Sequence, residues 1–530
     1  MYSIEVYRVF HECYNRPSYD KRAHVWPIIN LFLAKMINNA IFVAEYNYGL
    51  MIGRKVEFEK LQAAVDKDRA QLIAVYGRRR VGKTFLVNEF FEGKFIFKHT
   101  AVSPVDEVSK KKKKNLMKLQ LQEFYYSMRS YGLDGEENVP TSWQQAFHML
   151  ERLLEKKDNG KRQVIFIDEL PWMDTPKANF MPAFEHFCND WCLARKNFKL
   201  VVCGSATSWI LDELINNKGG LYGRVTTPIY LSPFTLHECK AFFRADGIQF
   251  DEFDICQAYI AFGGIPFYLD QFRKGLSLAQ NIDAILYEDN APLKEEFDRL
   301  FSSQFTNPEA LKSIVKTLAT KRIGYTRDEL IKKMRIPSGG RITENLAALE
   351  KSKFISEYVP FGESSPKYKL IDPFCIFYLK HVEGNSGNPV YWQTHEKSPA
   401  VISWLGLAFE DICWTHIRQI KHALGIDGVI TTESPWNIPG ETPRGGSRID
   451  LIIKRDDRFV CMCEMKFTRG EFEVNKSYNT TLLDRSEKVR EILGNKKTVM
   501  SVLVTTYGLK RNEYASRFDR VITMEDLFQK

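Results

Sequence analysis

Short apolar runs alternate with longer mixed segments in the first half of the chain. The runs Leu72–Tyr76, Val164–Ile167 and Leu200–Cys203 have the length and apolar character of buried strands. The run Ile229–Leu231 is shorter and predicts a less well defined strand. The segment Thr84–Phe91 predicts a helix close after the first strand. Because strands alternate with helices, we expect a parallel sheet that helices cover on both faces.

After Leu231 the spacing of apolar residues becomes helical and remains so to about residue 302. Beyond this helical region, the pattern predicts three helices and then a two-stranded hairpin around Gly362, which is the order of a winged helix. The three predicted helices are Glu309–Lys321, Arg327–Met334 and Ser338–Ser352.

The C-terminal part of the chain returns to an α/β pattern. A predicted helix, Trp404–Ile420, precedes predicted strands at Ile449–Ile453, Val460–Glu464 and Met500–Thr505. The fold class is therefore α/β with several domains. The predicted domains are a parallel-sheet domain at 51–235, a helical lid at 236–305, a winged helix at 306–380 and a C-terminal α/β domain at 398–530.

Residues 1–50 lack this strand and helix order, and a second plausible start stands at Met51. They are interpreted either as an extension that arises from a wrongly assigned start or as an added helical segment. The segment Trp26–Tyr46 is the most apolar stretch there, but polar residues interrupt it. It therefore predicts no membrane span.

The composition is that of an ordinary globular protein. A length of 530 residues exceeds what one hydrophobic core holds, and the apolar fraction of 44% argues against disorder. The net charge of +9 permits a polyanionic partner but does not demand one. The ten cysteines lack the two matched pairs of a zinc site, which predicts reduced thiols and a cytoplasmic location.

The strongest chemical signal is the sequence Gly77-Arg78-Arg79-Arg80-Val81-Gly82-Lys83-Thr84, which fits the P-loop pattern G-x-x-x-x-G-K-[ST]. It lies between a predicted strand and a predicted helix, so backbone amides and the helix N-terminus can face phosphate oxygens. Lys83 would neutralise the charge of the β- and γ-phosphates, and the hydroxyl of Thr84 would ligate Mg²⁺. These eight residues predict a site for ATP with Mg²⁺.

Polar residues near the ends of further strands are candidates for the same site. Asp168 follows the second apolar run and is expected on the metal side of the nucleotide, while Glu169 can polarise the attacking water. Ser205 follows the third run, where it would either meet the γ-phosphate or cap a helix near Thr207. Arg224 is a candidate cation for the transition state, with a surface salt bridge as the alternative.

These motifs together resemble the archaeal-type ATPase family of STAND/AAA+ P-loop NTPases over about residues 51–380. The resemblance implies ATP hydrolysis, and it implies that Arg54 and Pro266 lie near the nucleotide base. The motifs that carry it are, in chain order, Ile52-Gly53-Arg54, the P-loop, Phe166-Ile167-Asp168-Glu169, Gly204-Ser205, Tyr222-Gly223-Arg224 and Gly263-Gly264-Ile265-Pro266.

The third helix of the predicted winged helix is in the recognition position. Arg341, Thr343 and Asn345 stand near its start, where side chains can reach phosphates or bases. The same helix also carries Glu344 and Glu350. Winged helices in the family that the chain resembles commonly pack against the nucleotide domain. We favour this packing role over the reading of DNA.

A second group of charged residues occurs in the C-terminal domain. Asp450 and the tripeptide Glu464-Met465-Lys466 have the form of a PD-(D/E)xK nuclease core, although Ile449 replaces the usual proline. Glu464 and Lys466 share one face of a strand because they are two positions apart. The alternative is an exposed strand pair with salt bridges.

The order of elements in this domain resembles the restriction-endonuclease-like fold. The resemblance implies that Asp450, Glu464 and a helical Glu410 bind Mg²⁺ or Mn²⁺, and that Lys466 orients or deprotonates the attacking water. The departure at Ile449 is one that many such enzymes tolerate.

The leading hypothesis is a cytoplasmic ATPase whose nucleotide state positions the winged helix and a metal-dependent nuclease-like domain that acts on DNA. The alternative is an ATP-dependent switch whose winged helix and C-terminal domain only bind nucleic acid or a protein partner. A third interpretation is a DNA-binding regulator whose binding depends on Arg341. The oligomeric state stays open, with a nucleotide-dependent oligomer as one option.

Overall fold

This computed structural model describes residues 52–104, 116–134, 138–305, 307–361, 363–385, 387–438, 447–493 and 497–530. The predicted extension 1–50, with its segment Trp26–Tyr46, lies outside the described residues. Residues 56–530 group into one compact unit, so the segments predicted as separate domains pack together. None of the described helices is long and apolar enough to cross a membrane.

The first half of the chain contains the predicted parallel sheet. Its strands are β1 (Gln71–Tyr76), β2 (Phe97–Thr100), β3 (Gln163–Asp168), β4 (Phe198–Gly204) and β5 (Thr227–Tyr230). They lie in the order β2-β3-β4-β1-β5, and β3 and β4 are buried at every position. β2 was not among the predicted strands, because only Phe97 of its four residues is apolar.

The register of this sheet brings several strand ends together. Tyr76, the last residue of β1, pairs with Gly204 of β4 and with Tyr230 of β5. The P-loop follows Tyr76, so it emerges beside the end of β4. The surrounding helical segments are Lys55–Val65, Lys83–Phe90, Leu116–Ser130, Trp143–Lys157, Leu170–Met173, Phe180–His186, Phe187–Cys192, Thr207–Trp209 and Ile210–Ile215.

A helical region follows the sheet, as predicted. Two of its helices begin with a capping box. The side chains of Thr235 and Ser277 each accept a hydrogen bond from the backbone amide three residues later, and the side chain of that later residue accepts from the amide of the threonine or serine. The helices are Leu236–Ala245, Glu252–Phe262, Pro266–Leu269, Leu278–Leu286 and Glu296–Gln304.

The helix Glu252–Phe262 joins this region to the rest of the molecule. Seven of its eleven residues are buried. It packs against the helices Pro373–Phe377 and Pro399–Thr415. At its start, the ring of Phe253 stacks on Phe467 with 4.7 Å between the ring centroids. The helical region therefore touches the C-terminal domain directly.

Residues 308–370 form three helices and an antiparallel hairpin in the predicted order. The helix Arg327–Met334 has the predicted bounds, and the other two begin and end within two residues of the prediction. Gly362, expected at the hairpin turn, lies outside the described residues. The observed elements are Pro308–Ala319, Arg327–Met334, Gly340–Lys351, β6 (Ile355–Tyr358) and β7 (Lys367–Leu370).

A mixed sheet forms the C-terminal domain. Its strands are β8 (Thr431–Ile438), β9 (Ser447–Arg455), β10 (Phe459–Lys466), β11 (Thr498–Thr505) and β12 (Arg520–Ile522). They lie in the order β12-β11-β10-β9-β8, with β9 antiparallel to β8 and β10 and with β11 parallel to β10. The prediction missed β8 and β12.

One long predicted helix of this domain is in fact two. The expected helix Trp404–Ile420 divides at His416, whose ψ of 30° is non-helical. The remaining helical segments of the C-terminal half are Pro373–Phe377, Tyr378–Val382, Tyr391–His395, Pro399–Thr415, Ile417–Ala423, Lys476–Leu493, Ala515–Arg517 and Met524–Leu527.

Candidate functional site

The P-loop turns sharply between β1 and the helix Lys83–Phe90. Gly77, Arg80 and Gly82 have φ angles of 146°, 72° and 91°, in the left-handed region that glycine favours. A Cβ atom on Gly77 would lie 2.4 Å from the carbonyl oxygen of Leu231, so no larger residue fits there. The turn delivers the loop to the N-terminus of the following helix, as a phosphate site requires.

Lys83 and Thr84 are held in positions that suit phosphate and Mg²⁺. The buried Nζ of Lys83 donates to the carbonyl oxygens of Gly77 at 3.2 Å and Arg78 at 3.0 Å, so the side chain curls back over the loop. The Thr84 hydroxyl donates to Oδ2 of Asp168 at 2.7 Å. Burial and the neighbouring Glu169 raise the pKa of Asp168 to about 6. A hydroxyl beside a buried carboxylate is an oxygen donor set that fits Mg²⁺.

The arginine side chains of the P-loop turn to other parts of the protein. Arg78 pairs with Asp372, and Arg80 donates to both carboxylate oxygens of Glu296 at 2.5 and 2.8 Å. The side chain of Arg79 lies 6.0 Å from the Trp172 ring. Because these side chains are engaged elsewhere, the predicted contacts of Arg78 and Arg80 with nucleotide would come from their backbone amides. Val81 is fully buried and anchors the loop.

Glu169 is held by Ser205 across the end of the sheet. Its Oε2 atom accepts hydrogen bonds from the amide and the hydroxyl of Ser205, each at 2.9 Å. Ser205 does not cap the following helix, which begins after Ala206 and has no side-chain cap. The pairing of Ser205 with Glu169 was absent from the sequence interpretation, because nothing in the sequence indicates which side chains meet across strands.

The other residues predicted for the nucleotide site have different surroundings. Pro266 begins a short helix next to the P-loop, and the amide of Phe267 donates to the carbonyl oxygen of Arg80 at 3.5 Å. Arg54 is buried just before the helix Lys55–Val65. Arg224 is exposed. Its role as a cation for the transition state and the salt-bridge alternative both stay predictions.

The C-terminal candidates meet on adjacent strands of the mixed sheet. Asp450 lies on β9, and its Oδ2 atom accepts from the amide of Met465 on β10 at 3.0 Å. The Nζ of Lys466 lies 3.5 Å from Oε2 of Glu464 and 3.9 Å from Oδ2 of Asp450. Three of the four predicted residues therefore form one cluster.

Glu464 has two more partners, which the sequence interpretation missed. It is fully buried, and Arg485 and Tyr478 contact it from the helix Lys476–Leu493 at 2.5 and 2.6 Å. The sequence offered one signal for these partners: Arg485 and Tyr478 are polar residues in the segment that follows the Glu-x-Lys strand.

Glu410 joins the cluster through an arginine. Arg448 contacts Oε2 of Glu410, and its Nε atom lies 3.8 Å from Oδ1 of Asp450. Arg322, from the turn between the helices Pro308–Ala319 and Arg327–Met334, lies 3.3 Å from the same Glu410 oxygen. Burial and the charge of Asp450 raise the pKa of Glu410 to about 7.

The carboxylates of this cluster thus alternate with basic side chains. Among the described residues, no group of three or more His, Cys, Asp and Glu side chains is arranged to hold a metal ion. Asp450 and Glu464 still provide two carboxylates that Lys466 bridges, a donor type that Mg²⁺ and Mn²⁺ accept. Glu410 could add a third only if Arg448 moved from between them.

The third helix of the 308–370 segment shows two different faces. Arg341 is exposed near its start, and Thr343 accepts from Arg327 at 3.1 Å. At its end, Lys351 pairs with Asp212 of the first domain at 2.6 Å. The end of the helix therefore packs on the parallel-sheet domain, while its start is accessible.

Comparison with known proteins agrees with the P-loop geometry. Residues 51–272 match a family described as an ATPase domain predominantly from Archaea. This part of the chain is therefore similar in sequence to archaeal ATPase domains.

Two curated proteins of Methanocaldococcus jannaschii are similar to the chain. Uncharacterized protein MJECL04 is 23% identical over 462 residues, which cover 84% of this chain and 96% of that protein. Uncharacterized ATP-binding protein MJ0423 is 45% identical over 51 residues, which cover 10% of this chain and 86% of that protein.

Two solved structures are also similar. The Walker-type ATPase PABY2304 of Pyrococcus abyssi aligns with a TM-score of 0.42 at 19% identity, over 62% of this chain and 96% of that chain. The ORC2 protein of Aeropyrum pernix, solved with ADPNP and ADP, aligns with a TM-score of 0.35 at 11% identity, over 65% and 95% of the two chains.

Proposed function

We propose that this chain is an ATP-hydrolysing protein of the STAND/AAA+ type whose nucleotide state controls a metal-dependent nuclease-like domain that acts on DNA. The observation that carries the proposal is the cluster of Asp450, Glu464 and Lys466 on adjacent strands, in a chain that also has a formed P-loop. A phosphate-binding loop can bind the controlling nucleotide, and a pair of carboxylates beside a lysine can hold a metal ion and orient the water for phosphodiester cleavage.

At the nucleotide site, Lys83 and the loop amides would bind the β- and γ-phosphates, while Thr84 and Asp168 would hold Mg²⁺. The ion supplies positive charge that offsets the charge developing on the phosphate oxygens. Glu169 would orient the attacking water once it leaves Ser205. The exposed Arg224 is available as a further cation for the transition state.

The ion pairs of the P-loop arginines support a route from nucleotide to the rest of the protein. Arg80 binds Glu296 in the helical lid, and Arg78 binds Asp372 just before the helix Pro373–Phe377. That helix packs on Glu252–Phe262, which also touches the helix that carries Glu410. Phosphates that reposition the loop would therefore shift contacts at both ends of this route.

At the C-terminal site, Asp450 and Glu464 would hold a divalent cation. The cation supplies Lewis-acid activation of a phosphodiester and of a water molecule. Lys466 would orient that water, and Arg485 and Tyr478 fix Glu464 through their contacts. Arg448 and Arg322 neutralise Glu410 in this state, which would keep it from the cation until the C-terminal contacts rearrange.

The second candidate is an ATP-driven switch that only binds nucleic acid or a protein partner. The observation that favours it is the alternation of basic and acidic side chains in the cluster, which can serve as a purely structural network. The exposed start of the helix Gly340–Lys351, with Arg341, would be its nucleic-acid contact. In this version the winged helix of 306–380 carries the binding.

The experiment that tests the proposal measures cleavage of plasmid and single-stranded DNA with Mg²⁺ or Mn²⁺, with and without ATP. Asp450→Ala should abolish cutting, and Lys83→Ala should remove its response to ATP. The matched control is Asp456→Ala, because Asp456 is an exposed carboxylate in the turn that follows β9. Uncut DNA under every condition, with ATP hydrolysis intact, would favour the binding switch.

A further inference from the structure

A cavity of about 480 Å³ opens beside the C-terminal charged cluster. The hairpin β6–β7 forms one side, and the helix Pro399–Thr415 with the strands β8 and β9 forms the other. Glu410 and Asp450 lie among its lining residues. Any group that occupied the cavity would therefore be next to Asp450, one of the two carboxylates that the proposed cleavage requires.

Three aromatic side chains line the cavity: Tyr358, Trp414 and Trp436. Two of these rings are fixed in place. The hydroxyl of Tyr358 donates to the carbonyl oxygen of Ile323 at 2.5 Å, and Trp436 is buried edge-on against Phe361 at 6.4 Å between ring centroids. Rigid aromatic faces that border a cavity are stacking surfaces for flat ligands such as nucleobases.

The acidic side chains of the cavity are largely neutralised. Lys367 pairs with Glu363 at 2.7 Å, and Lys369 pairs with Asp411 at 2.5 Å. A further cation, Lys353, lines the cavity and is exposed. A nucleic-acid strand that enters the cavity would meet carboxylates already paired with lysines and an accessible Lys353. Unpaired carboxylates of Glu363 and Asp411 would therefore not repel its phosphates.

The size of the cavity limits what can enter. Pockets of about 300–1,000 Å³ hold one drug-sized molecule, so this one has room for one or two nucleotides. A duplex cannot use it without local opening, because its bases are paired and stacked on each other. Removing a base from a duplex also costs unstacking energy that single strands avoid.

We propose that this cavity binds an unpaired nucleotide of single-stranded DNA, stacks its base on Trp414 and Tyr358, and presents the adjoining phosphate to Asp450. The inference rests on the proposed function, to which it adds the substrate class. The single strand lies between the hairpin and the C-terminal sheet, with Lys353 next to its phosphates.

The test is fluorescence anisotropy of the full chain with labelled oligothymidylate and with a duplex of equal length, in EDTA so that no cleavage occurs. We expect the single strand to bind at least about tenfold more tightly than the duplex, and Trp414→Ala to weaken it by about tenfold or more. Trp414→Phe should retain most of the affinity, because phenylalanine keeps a stacking face. The control Tyr126→Ala removes an exposed aromatic residue of the helix Leu116–Ser130, which does not line the cavity, and should leave the affinity for the single strand unchanged.

Lys353→Glu is a second variant, made at an exposed position where folding is not at stake. It should weaken single-strand binding and reduce its dependence on salt concentration. Equal affinity for duplex and single strand, or unchanged single-strand binding in both Trp414→Ala and Lys353→Glu, would overturn the inference. Oligouridylate in the same assay distinguishes RNA from DNA as the source of the unpaired base.

The result is separable from the test of the proposed function. Tight single-strand binding that depends on Trp414, without DNA cleavage in the presence of any metal ion, would reject the proposed nuclease function but support single-strand binding in the cavity. Cleavage that depends on Asp450, with duplex preferred over single strand, would reject the cavity assignment and keep the nuclease.

Discussion

Arg78 of the P-loop forms a buried ion pair with Asp372, which lies 294 positions further along the chain. The two side chains are only 4% and 2% exposed. Asp372 also accepts from the amide of Cys375 at 2.8 Å and so begins the helix Pro373–Phe377. One carboxylate thus anchors the nucleotide loop and starts the segment that leads to the C-terminal domain.

The first prediction concerns this ion pair. Asp372→Asn leaves the buried guanidinium of Arg78 without its counter-charge, so we expect the free energy of unfolding to fall by about 3–5 kcal/mol. Urea unfolding followed by tryptophan fluorescence measures the change. Glu363→Gln removes a carboxylate from an ion pair nearer the surface and should cost less than about 1 kcal/mol. Equal losses in the free energy of unfolding for the two substitutions would show that the buried ion pair contributes no more to stability than the more exposed one.

The second prediction concerns nucleotide affinity. Lys83→Ala removes the ammonium expected at the β- and γ-phosphates, which should weaken binding of a fluorescent ATP analogue by about 10- to 100-fold. Lys94→Ala is the control, because Lys94 is an exposed lysine shortly after the same helix and pairs with the likewise exposed Glu92. Undiminished binding by Lys83→Ala would contradict the assignment of the P-loop lysine.

The third prediction separates binding from hydrolysis. Glu169→Gln should lower the rate constant of ATP hydrolysis by about 100-fold or more while ATP affinity stays the same, because only the activation of water is lost. Ser205→Ala should instead raise basal hydrolysis, since Glu169 loses the hydroxyl that holds it. A steady-state phosphate-release assay measures both. A fall in the rate on Ser205→Ala would mean that the serine itself serves catalysis.

The fourth prediction concerns the basic side chains in the C-terminal cluster. Arg322→Ala removes a cation from Glu410 and Asp411, so metal-dependent DNA cleavage should saturate at a lower Mn²⁺ concentration than in the wild type. Arg299→Ala, which removes one side of an exposed helical pair with Glu295, is the control. A higher Mn²⁺ requirement in Arg322→Ala would indicate that Arg322 positions Glu410 for the metal.

The fifth prediction concerns pH. Burial lowers the pKa of His416 to about 4, and its Nε2 atom accepts from the amide of Leu236 at 3.0 Å. The unfolded chain, with a histidine pKa of about 6.5, binds the proton first as the pH falls, so this group costs the folded state about 2 kcal/mol between pH 7 and pH 5. His416→Gln keeps an acceptor and cannot become charged, so its loss of stability between the two pH values should be smaller than that of the wild type by about 2 kcal/mol. The buried His99 and His381, whose pKa values are also lowered, contribute to the loss in both proteins. Urea unfolding at the two pH values measures the difference.

The parallel sheet and the P-loop could be predicted because their signals are local. The runs Leu72–Tyr76 and Val164–Ile167 are continuous and apolar, and they became β1 and β3 almost residue for residue. β2 could not be predicted, because its central Lys98 and His99 interrupt the apolar pattern. The helix division at His416 was also not predicted, and the contact of His416 with the amide of Leu236 is one that no local pattern contains.

The candidate sites were predictable only in part for the same reason. Spacing on one strand correctly placed Glu464 beside Lys466, and register then placed Asp450 near both. The partners Arg485 and Arg322 come from distant segments, and their contacts depend on how helices dock on the sheet. Arg78 and Arg80 were predicted at the nucleotide as members of the P-loop, but no local pattern indicated that their side chains pair with Asp372 and Glu296. The binding and catalytic roles assigned to these residues stay predictions, as do those of Arg54, Pro266 and Arg224.

The stack of Phe253 on Phe467 indicates what loss of the C-terminal domain would do to the solubility of the remaining fragment. The helix Glu252–Phe262 is apolar on most sides and relies on the helix Pro399–Thr415 for part of its cover. A nonsense mutation or a proteolytic cut near residue 380 would therefore release an ATPase fragment with an uncovered apolar surface, which favours aggregation. We therefore expect loss of the C-terminal domain to lower the solubility of the helical region as well, since that domain covers part of its apolar surface.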